Sequence, residues 1–406
     1  MEPNSKPSMT SWIEIDLSAL GHNLMVFRRR TSSATDIMAV VKADAYGHGL
    51  IRVAKELLRL KAAALAVASV EEGLQIRKKV SPSAPVIILL GPREEECGLC
   101  LDQRLTPVVY TLAVARELDR EARRRKITAR VHLKVDTGMG RLGVLWTELP
   151  AFLDGTRSLK NLQISGLTSH FARADEKGHP YHRLQWKRYQ AALETAREAG
   201  LRLIANHVAN SAAALHNPSA HLHFIRPGIG LYGGSPSNDP QLARDLDLQP
   251  VMTFKTRIIQ VKKLPPKMGV SYGSTYVTRR PETVAILPIG YANGYPRHLS
   301  NQAEVLIRGR RFPVIGRICM NLTIIKLDSH EDWQVGEEVV LLGRQAGEFV
   351  EADVLAHRAE TISYELFCLL GRLNPRIYKN SRGFLKNERP TSNIERPTSN
   401  EKKNIQ

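Results

Sequence analysis

Aromatic residues make up only 6% of the 406 positions, and the 40 acidic residues are outnumbered by 58 Lys and Arg, for a formal charge of +18. The surplus is spread along the chain in runs such as Arg28-Arg29-Arg30, Arg123 to Lys126 and Arg308-Gly309-Arg310-Arg311. These runs lack the interleaved aromatics on which nucleobases stack, so no nucleic-acid partner is expected. A solvated basic surface that attracts small anions is the better reading. Cysteine is scarce too. Four in so long a chain exclude a disulfide framework and point to reduced thiols. Cys97 and Cys100 have metal-ligand spacing, but Cys319 and Cys368 stand far apart, so no second pair completes a tetrahedral site and no metal is expected. No apolar run approaches the roughly 20 residues of a membrane span. The first ten residues have neither the basic flank and apolar centre of a secretion signal nor the character of a transit peptide. A cytoplasmic protein without a membrane partner is expected. Its apolar share, 43%, can bury one large core or two medium ones.

What is present is alternation. Ile37 to Val41, Leu65 to Val70, Val86 to Leu90, Pro107 to Tyr110, Ala129 to Val135, Leu162 to Leu167, Ile204 to Val208 and Leu222 to Ile225 read as eight buried strands. Helical patterns such as His48 to Leu60, Val70 to Val80, Thr111 to Arg125 and Tyr181 to Ala199 lie between them. The order predicts an α/β fold, a parallel (β/α)8 barrel over residues 11–240, with functional residues at strand carboxyl ends. An open doubly wound sheet is the alternative, but no Gly-x-Gly-x-x-Gly turn follows the first strand. Gly233 to Pro250 reads as a linker. Beyond it the strands Val251 to Leu264, Thr283 to Pro288, Glu304 to Ile307, Arg311 to Ile318, Leu322 to Leu327 and Glu338 to Leu342 predict a mostly β domain over 241–379. Ser11 to Ile15 is also strand-like and is open to pairing with either domain, ahead of a helix begun near Asp16 and Ser18. Residues 1–10 read as flexible. Residues 380–406 read as a disordered tail, with Glu-Arg-Pro-Thr-Ser-Asn at Glu388 and again at Glu395.

Two strings carry lysines to strand ends. Ala39 to Gly49 reads Ala-Val-Val-Lys-Ala-Asp-Ala-Tyr-Gly-His-Gly, an apolar strand that delivers Lys42 to its carboxyl end, with Tyr46 in the turn beyond. Desolvation there favours the neutral amine that forms an imine with a carbonyl. Leu133 to Gly143 puts Lys134 on a strand and Arg141 just past it, and arginine's planar fork suits a carboxylate. The plainer reading has Lys134 and Asp136 pair with neighbours inside the barrel and starts a helix at Arg141. His170 and His207 each end an apolar run, where a histidine orients a cofactor or is satisfied by backbone; the residues alone leave both open. Ser211, after Asn210, opens a short helix whose hydroxyl and free N–H groups suit a phosphate, or simply cap the helix. Arg226-Pro227-Gly228-Ile229 follows the eighth strand, a frequent phosphate site in barrels.

Together with Val270 to Tyr276, Gly290 to Tyr295 and Gly316 to Asn321, these strings resemble the alanine racemase family in order, over about Trp12 to Tyr378. The resemblance implies pyridoxal phosphate (PLP) bound as a Schiff base on Lys42. Tyr46, His170, Asn210, Ser211, Arg226, Gly228 and Ile229 would contact the cofactor, with Arg226 facing its pyridine nitrogen. Lys134 would be carbamylated and orient Arg141 toward the substrate carboxylate, which the backbone N–H of Met320 also holds. Tyr272 would be the second acid/base, delivered across a head-to-tail homodimer, with His207 in the supporting hydrogen-bond chain and Tyr291 at the entrance. The implied activity is interconversion of L- and D-alanine, supplying D-alanine for bacterial peptidoglycan. A broad-specificity or serine racemase on the same scaffold is the alternative, and a fold-related decarboxylase follows behind. Two positions depart from the family's usual pattern: Asn321 where Asp is commoner, and Arg372 where a tyrosine helps bind phosphate.

Overall fold

A computed structural model describes residues 9–237, 239–380 and 383–388. Nearly all of the expected flexible start, and the tail beyond residue 388, lie outside the described residues.

Strands β1 (Ser11–Asp16), β2 (Asp36–Val40), β3 (Ala64–Val67), β4 (Val86–Ile88), β5 (Thr106–Val109), β6 (Ala129–Asp136), β7 (Leu162–Thr168) and β8 (Phe224–Ile225) form the first part of the chain. From β2 to β7 each strand pairs in parallel with the next, and β8 pairs back with β2. The expected strand Ile204 to Val208 shrinks to one bridging residue, His207, paired to Thr168 on one side and Phe224 on the other. The ladder there is interrupted rather than lost: Ile204 and His207 still donate N–H bonds to the carbonyls of Ser165 and Leu167, at 2.8 and 3.1 Å, while Asn206 Oδ1 accepts the Leu167 N–H at 2.8 Å. The parallel ring of eight is closed, and the open-sheet alternative is excluded. The helices Leu50–Arg59, Val70–Lys79, Leu112–Arg125 and Pro180–Glu198 follow the apolar periodicity that predicts them. Helix Leu17–Arg30 starts where Asp16 accepts N–H bonds from Ser18 and Ala19, at 2.8 and 3.1 Å, the usual carboxylate cap.

The mostly β part begins earlier in sequence than its bulk. β1 pairs antiparallel with Met252–Arg257 and parallel with Arg376–Asn380, so Ser11 to Ile15 joins the second domain's sheet. That sheet continues through Glu338–Gln345, Glu304–Ile307 and Arg310–Pro313. The single strand expected over Val251 to Leu264 is two strands. Met252–Arg257 stays in this sheet, while Gln260–Leu264 joins Glu282–Leu287 and Thr323–Leu327 in another. The expected linker holds a helix, Pro240–Asp245. The disordered tail expected from residue 380 starts too early, because Gly383–Glu388 forms a strand antiparallel to Arg376–Asn380; ladder bonds offset the ordering entropy that composition alone cannot. One buried apolar core runs from the barrel into the second domain. Among the described residues, no helix is long and apolar enough to cross a membrane.

Candidate active site

Lys42 lies just past β2 rather than on it. The four residues after it, Ala43 to Tyr46, turn left-handed with φ of 54°, 53°, 54° and 53°, a conformation that costs an L-residue about 1–2 kcal/mol each. Polar bonds hold the turn. One Asp44 oxygen accepts the Leu50 N–H at 2.7 Å and the other pairs with Arg376, whose guanidinium also donates to the Gly47 carbonyl at 3.0 Å. The second domain presses on the same turn, since a Cβ at Gly371 would stand 1.8 Å from Gly47 O. Lys42 and Tyr46 are thus aimed by contacts from both domains.

After β6, Asp136 organises the loop. Its carboxylate accepts the N–H groups of Gly138 and Met139 at 2.8 Å, Gly140 at 3.2 Å and Arg141 at 3.1 Å. Burial opposes its ionisation, but these four donors hold its pKa low. Asp136 thus bonds backbone rather than Lys134, and Arg141 sits in a loop, not at a helix start.

Arg226 is 7% exposed, and its bonded partners include no carboxylate. Its guanidinium donates to Thr168 Oγ1, to His207 Nδ1 at 2.8 Å, to the carbonyls of Ser169 and Val208 at 2.7 and 3.1 Å, and to His170 Nδ1 at 3.3 Å. Since the guanidinium can only donate, His170 Nδ1 is an acceptor and its proton sits on Nε2. Ser211 is not the helix cap. Asn210 takes that place by accepting the Ala213 N–H at 3.0 Å, which leaves Ser211 Oγ to accept the N–H groups of Gly228 and Gly230 at 2.8 and 3.4 Å. Tyr46 closes on the same loop: a Cβ at Gly228 would lie 2.4 Å from the Tyr46 hydroxyl. Any larger residue there would push the Tyr46 hydroxyl aside.

Lys42, Tyr46, Lys134, Arg141, His170, Asn210, Ser211, Arg226, Gly228 and Ile229 line one cavity of about 470 Å³. His207 lies behind Arg226. Tyr272, Tyr291 and Met320 line no part of it; they stand on the second domain, 69%, 42% and 56% exposed. Their segments are tied to one another. Tyr291 and Ala292 donate N–H bonds to the carbonyls of Cys319 and Met320, at 3.2 and 3.0 Å, and Ser271 Oγ donates to the Arg317 carbonyl. Two side chains that escape the sequence reading bear on the site, one lining the cavity and one beneath it. Tyr364, on the helix Ser363–Leu373, reaches the cavity with its ring 6.0 Å from that of Tyr46. No spacing marks it, because its position follows from how the second domain docks. His132 was legible in principle, being two residues before Lys134 and so on the same strand face. Cys97 and Cys100 are buried free thiols, both pushed up to about 12 mainly by burial.

Four cations line the cavity, and no Asp or Glu does. Burial lowers the Lys42 pKa, and Arg141 and Arg226 lower it further. The Lys134 amine falls to about 8 through burial and then repulsion by Arg226, Arg141 and Lys42. Between that value and the ordinary 10.5, the unfolded chain binds a proton that folded Lys134 does not, so stability rises with pH across this window. Below pH 8 both states are protonated and the whole penalty remains, about 3 kcal/mol at most. Lys134→Met is accordingly expected to be more stable than the parent by about 1–3 kcal/mol at pH 7. The advantage should vanish near pH 10.5. Urea unfolding in CO2-free buffer at the two pH values measures this, and a constant difference would contradict it.

The chain resembles known proteins over most of its length. Residues 15–236 match the family model of the alanine racemase N-terminal domain, and residues 251–378 that of the C-terminal domain. The chain is 43% identical to an alanine racemase from Halothermothrix orenii, across 94% of this chain and 100% of that protein. It superimposes on alanine racemase from Clostridium difficile 630 with a TM-score of 0.88 and 34% identity, covering 95% of this chain and 100% of that one. A Bartonella henselae alanine racemase structure with covalently bound pyridoxal phosphate matches with a TM-score of 0.82 and 26% identity, over 91% and 99% of the two chains. The chain belongs to the alanine racemase family, whose members are PLP-dependent isomerases.

Proposed function

We propose that this protein interconverts L- and D-alanine using PLP held at Lys42, and that it works as a homodimer. The observation that carries the reading is the cavity with four cations, no carboxylate, and the hydroxyl of buried Tyr46 without a partner among the described residues. Such a lining fits a ligand pair bearing a phosphate and a carboxylate. PLP, when bound, supplies an aldehyde that condenses with amines and a ring that takes up the electron pair left when a proton leaves the substrate Cα.

The residues divide the remaining work. Lys42, its pKa lowered by burial and the neighbouring arginines, would be the residue that tethers the cofactor and, when not bonded to it, would take or return a proton on one face of Cα. The hydroxyls of Tyr46 and Ser211, with the backbone N–H groups of Gly228 and Ile229, would hold the phosphate, and Asn210 fixes the helix that carries Ser211. Arg226 would face the ring nitrogen. A cation that only donates cannot leave that nitrogen protonated, which weakens the ring as an electron sink and favours prompt return of the proton. Arg141 and the Met320 N–H of the partner subunit bind the carboxylate. Neutral Lys134 can add CO2 to give a carbamate and a released proton; the resulting anion would draw Arg141 into line. Tyr272 of the partner subunit acts on the opposite face of Cα. His170 Nε2–H would then donate to its phenolate oxygen, which lowers the cost of deprotonating it. Tyr291 of the partner subunit narrows the entrance.

The product would supply D-alanine to bacterial peptidoglycan, and the four free thiols support a cytoplasmic setting. The test is chiral analysis of products from a panel of L- and D-amino acids. Either alanine enantiomer should approach an equal mixture, with kcat/KM for serine lower by about 10-fold or more. No inversion of alanine, or serine turning over faster, would overturn the assignment.

A further inference from the structure

On β6 the side chains of His132 and Lys134 share one face, and both point into the barrel. Lys134 reaches the cavity; His132 sits one layer below, 5% exposed, against fully buried His207. His132 Nδ1 stands 2.8 Å from His207 Nε2, and His207 Nδ1 stands 2.8 Å from the Arg226 guanidinium. The three residues form a buried line from the deep barrel to the cavity wall.

The protons along this line follow from its last member. Arg226 has no acceptor, so the ring nitrogen it meets must offer a lone pair. Thr168 Oγ1, 3.0 Å from the same nitrogen, can also accept from Arg226 and does not change that requirement. A neutral His207 therefore carries its proton on Nε2, pointed at His132. His132 Nδ1 must in turn be the acceptor. An imidazolium at either position would set N–H against N–H, and burial with the nearby Arg226 charge pushes both histidines down, His132 to about 4. One fixed donor at the cavity wall sets the tautomers of two rings.

We propose that His132 is a positioning residue: it is the acceptor that locks His207 in the Nε2–H tautomer, and through His207 it keeps Arg226 aimed at the cofactor ring nitrogen. Without that acceptor, the buried Nε2–H has no partner. The Nδ1–H form of His207 becomes competitive, and that form repels Arg226. The effect on the reaction rests on Arg226 facing the ring, as proposed above; the tautomer assignment does not.

The experiment is histidine-selective 15N labelling of the holoenzyme and two-bond 1H–15N correlation, which distinguishes the two tautomers. Wild type should show His132 and His207 both as Nε2–H at neutral pH. His132→Asn places an amide oxygen near the position of Nδ1, so it should keep the His207 tautomer and the visible spectrum of the bound cofactor. His132→Leu should show a mixed or Nδ1–H His207, a shifted cofactor spectrum, and kcat about 10-fold below that of the Asn variant. Its KM for alanine should hold, because Arg141 is untouched. A wild-type His207 found as Nδ1–H or as imidazolium overturns the proposal even if no variant folds. So do Asn and Leu variants that behave alike, whether both intact or both impaired, since packing alone would then be at stake. The expected tautomers in a protein that racemises nothing would support the assignment while counting against the functional reading alone.

Discussion

Replacing Lys42 with Ala removes the visible absorbance of lysine-bound PLP and lowers racemisation by at least about 10³-fold. Two roles vanish together, since the amine both anchors the cofactor and serves one face of Cα. The fold should not suffer. Lys42 shares a cavity with Lys134, Arg141 and Arg226 and has no carboxylate on its lining, so its loss relieves repulsion, and the thermal midpoint of the apoprotein should be unchanged or raised. That control separates lost chemistry from lost structure. A variant that keeps both the absorbance and the turnover refutes the assignment of Lys42.

Mixing chains that carry Lys42→Ala with chains that carry Tyr272→Phe should restore activity to two inactive proteins. Tyr272 is exposed in its own chain and lines no part of the cavity built around Lys42. If the partner subunit delivers it, each hybrid dimer contains one site with both groups intact. Random exchange makes about half of the dimers hybrid, so about a quarter of parental activity returns. If each chain used its own Tyr272, no mixture could be active. The Tyr272→Phe homodimer adds a directional check. Exchange of solvent deuterium into L-alanine should fall more than exchange into D-alanine, because Lys42 still serves the other face. Equal losses would argue against two opposed bases.

Much of the architecture was legible because its signals are local. Apolar runs alternating with amphipathic stretches mark a parallel sheet from Ile37 to Ile225, and the change of period after Pro250 marks the β part. What failed was long-range. Ile204 to Val208 keeps some backbone bonds to its neighbour but is cut to one bridging residue, His207, where the Asn206 side chain takes the Leu167 N–H, and no property of that segment announces it. The left-handed turn after Lys42 was invisible for a similar reason. Ala43 and Ala45 disfavour positive φ and Asp44 tolerates it only as a single residue, and the turn persists through bonds to Arg376 and contact with Gly371, both more than 300 residues away in sequence.

The chemical types were set by the sequence: two lysines and two arginines at strand ends, glycines where backbone must approach an anion, and hydroxyls beside them. Their order along the chain also carried the family resemblance, since short motifs need no folding to be read. Only the tertiary structure decided their electrostatic state and their grouping. Packing gathered four like charges around one cavity that has no carboxylate on its lining, and partial burial of the Lys42 and Lys134 amines, followed by repulsion from their cationic neighbours, is what lowers both. It also left Tyr272, Tyr291 and Met320 on a separate exposed surface. Desolvation and like-charge repulsion depend on distances between residues remote in sequence, and a linear string does not contain those distances.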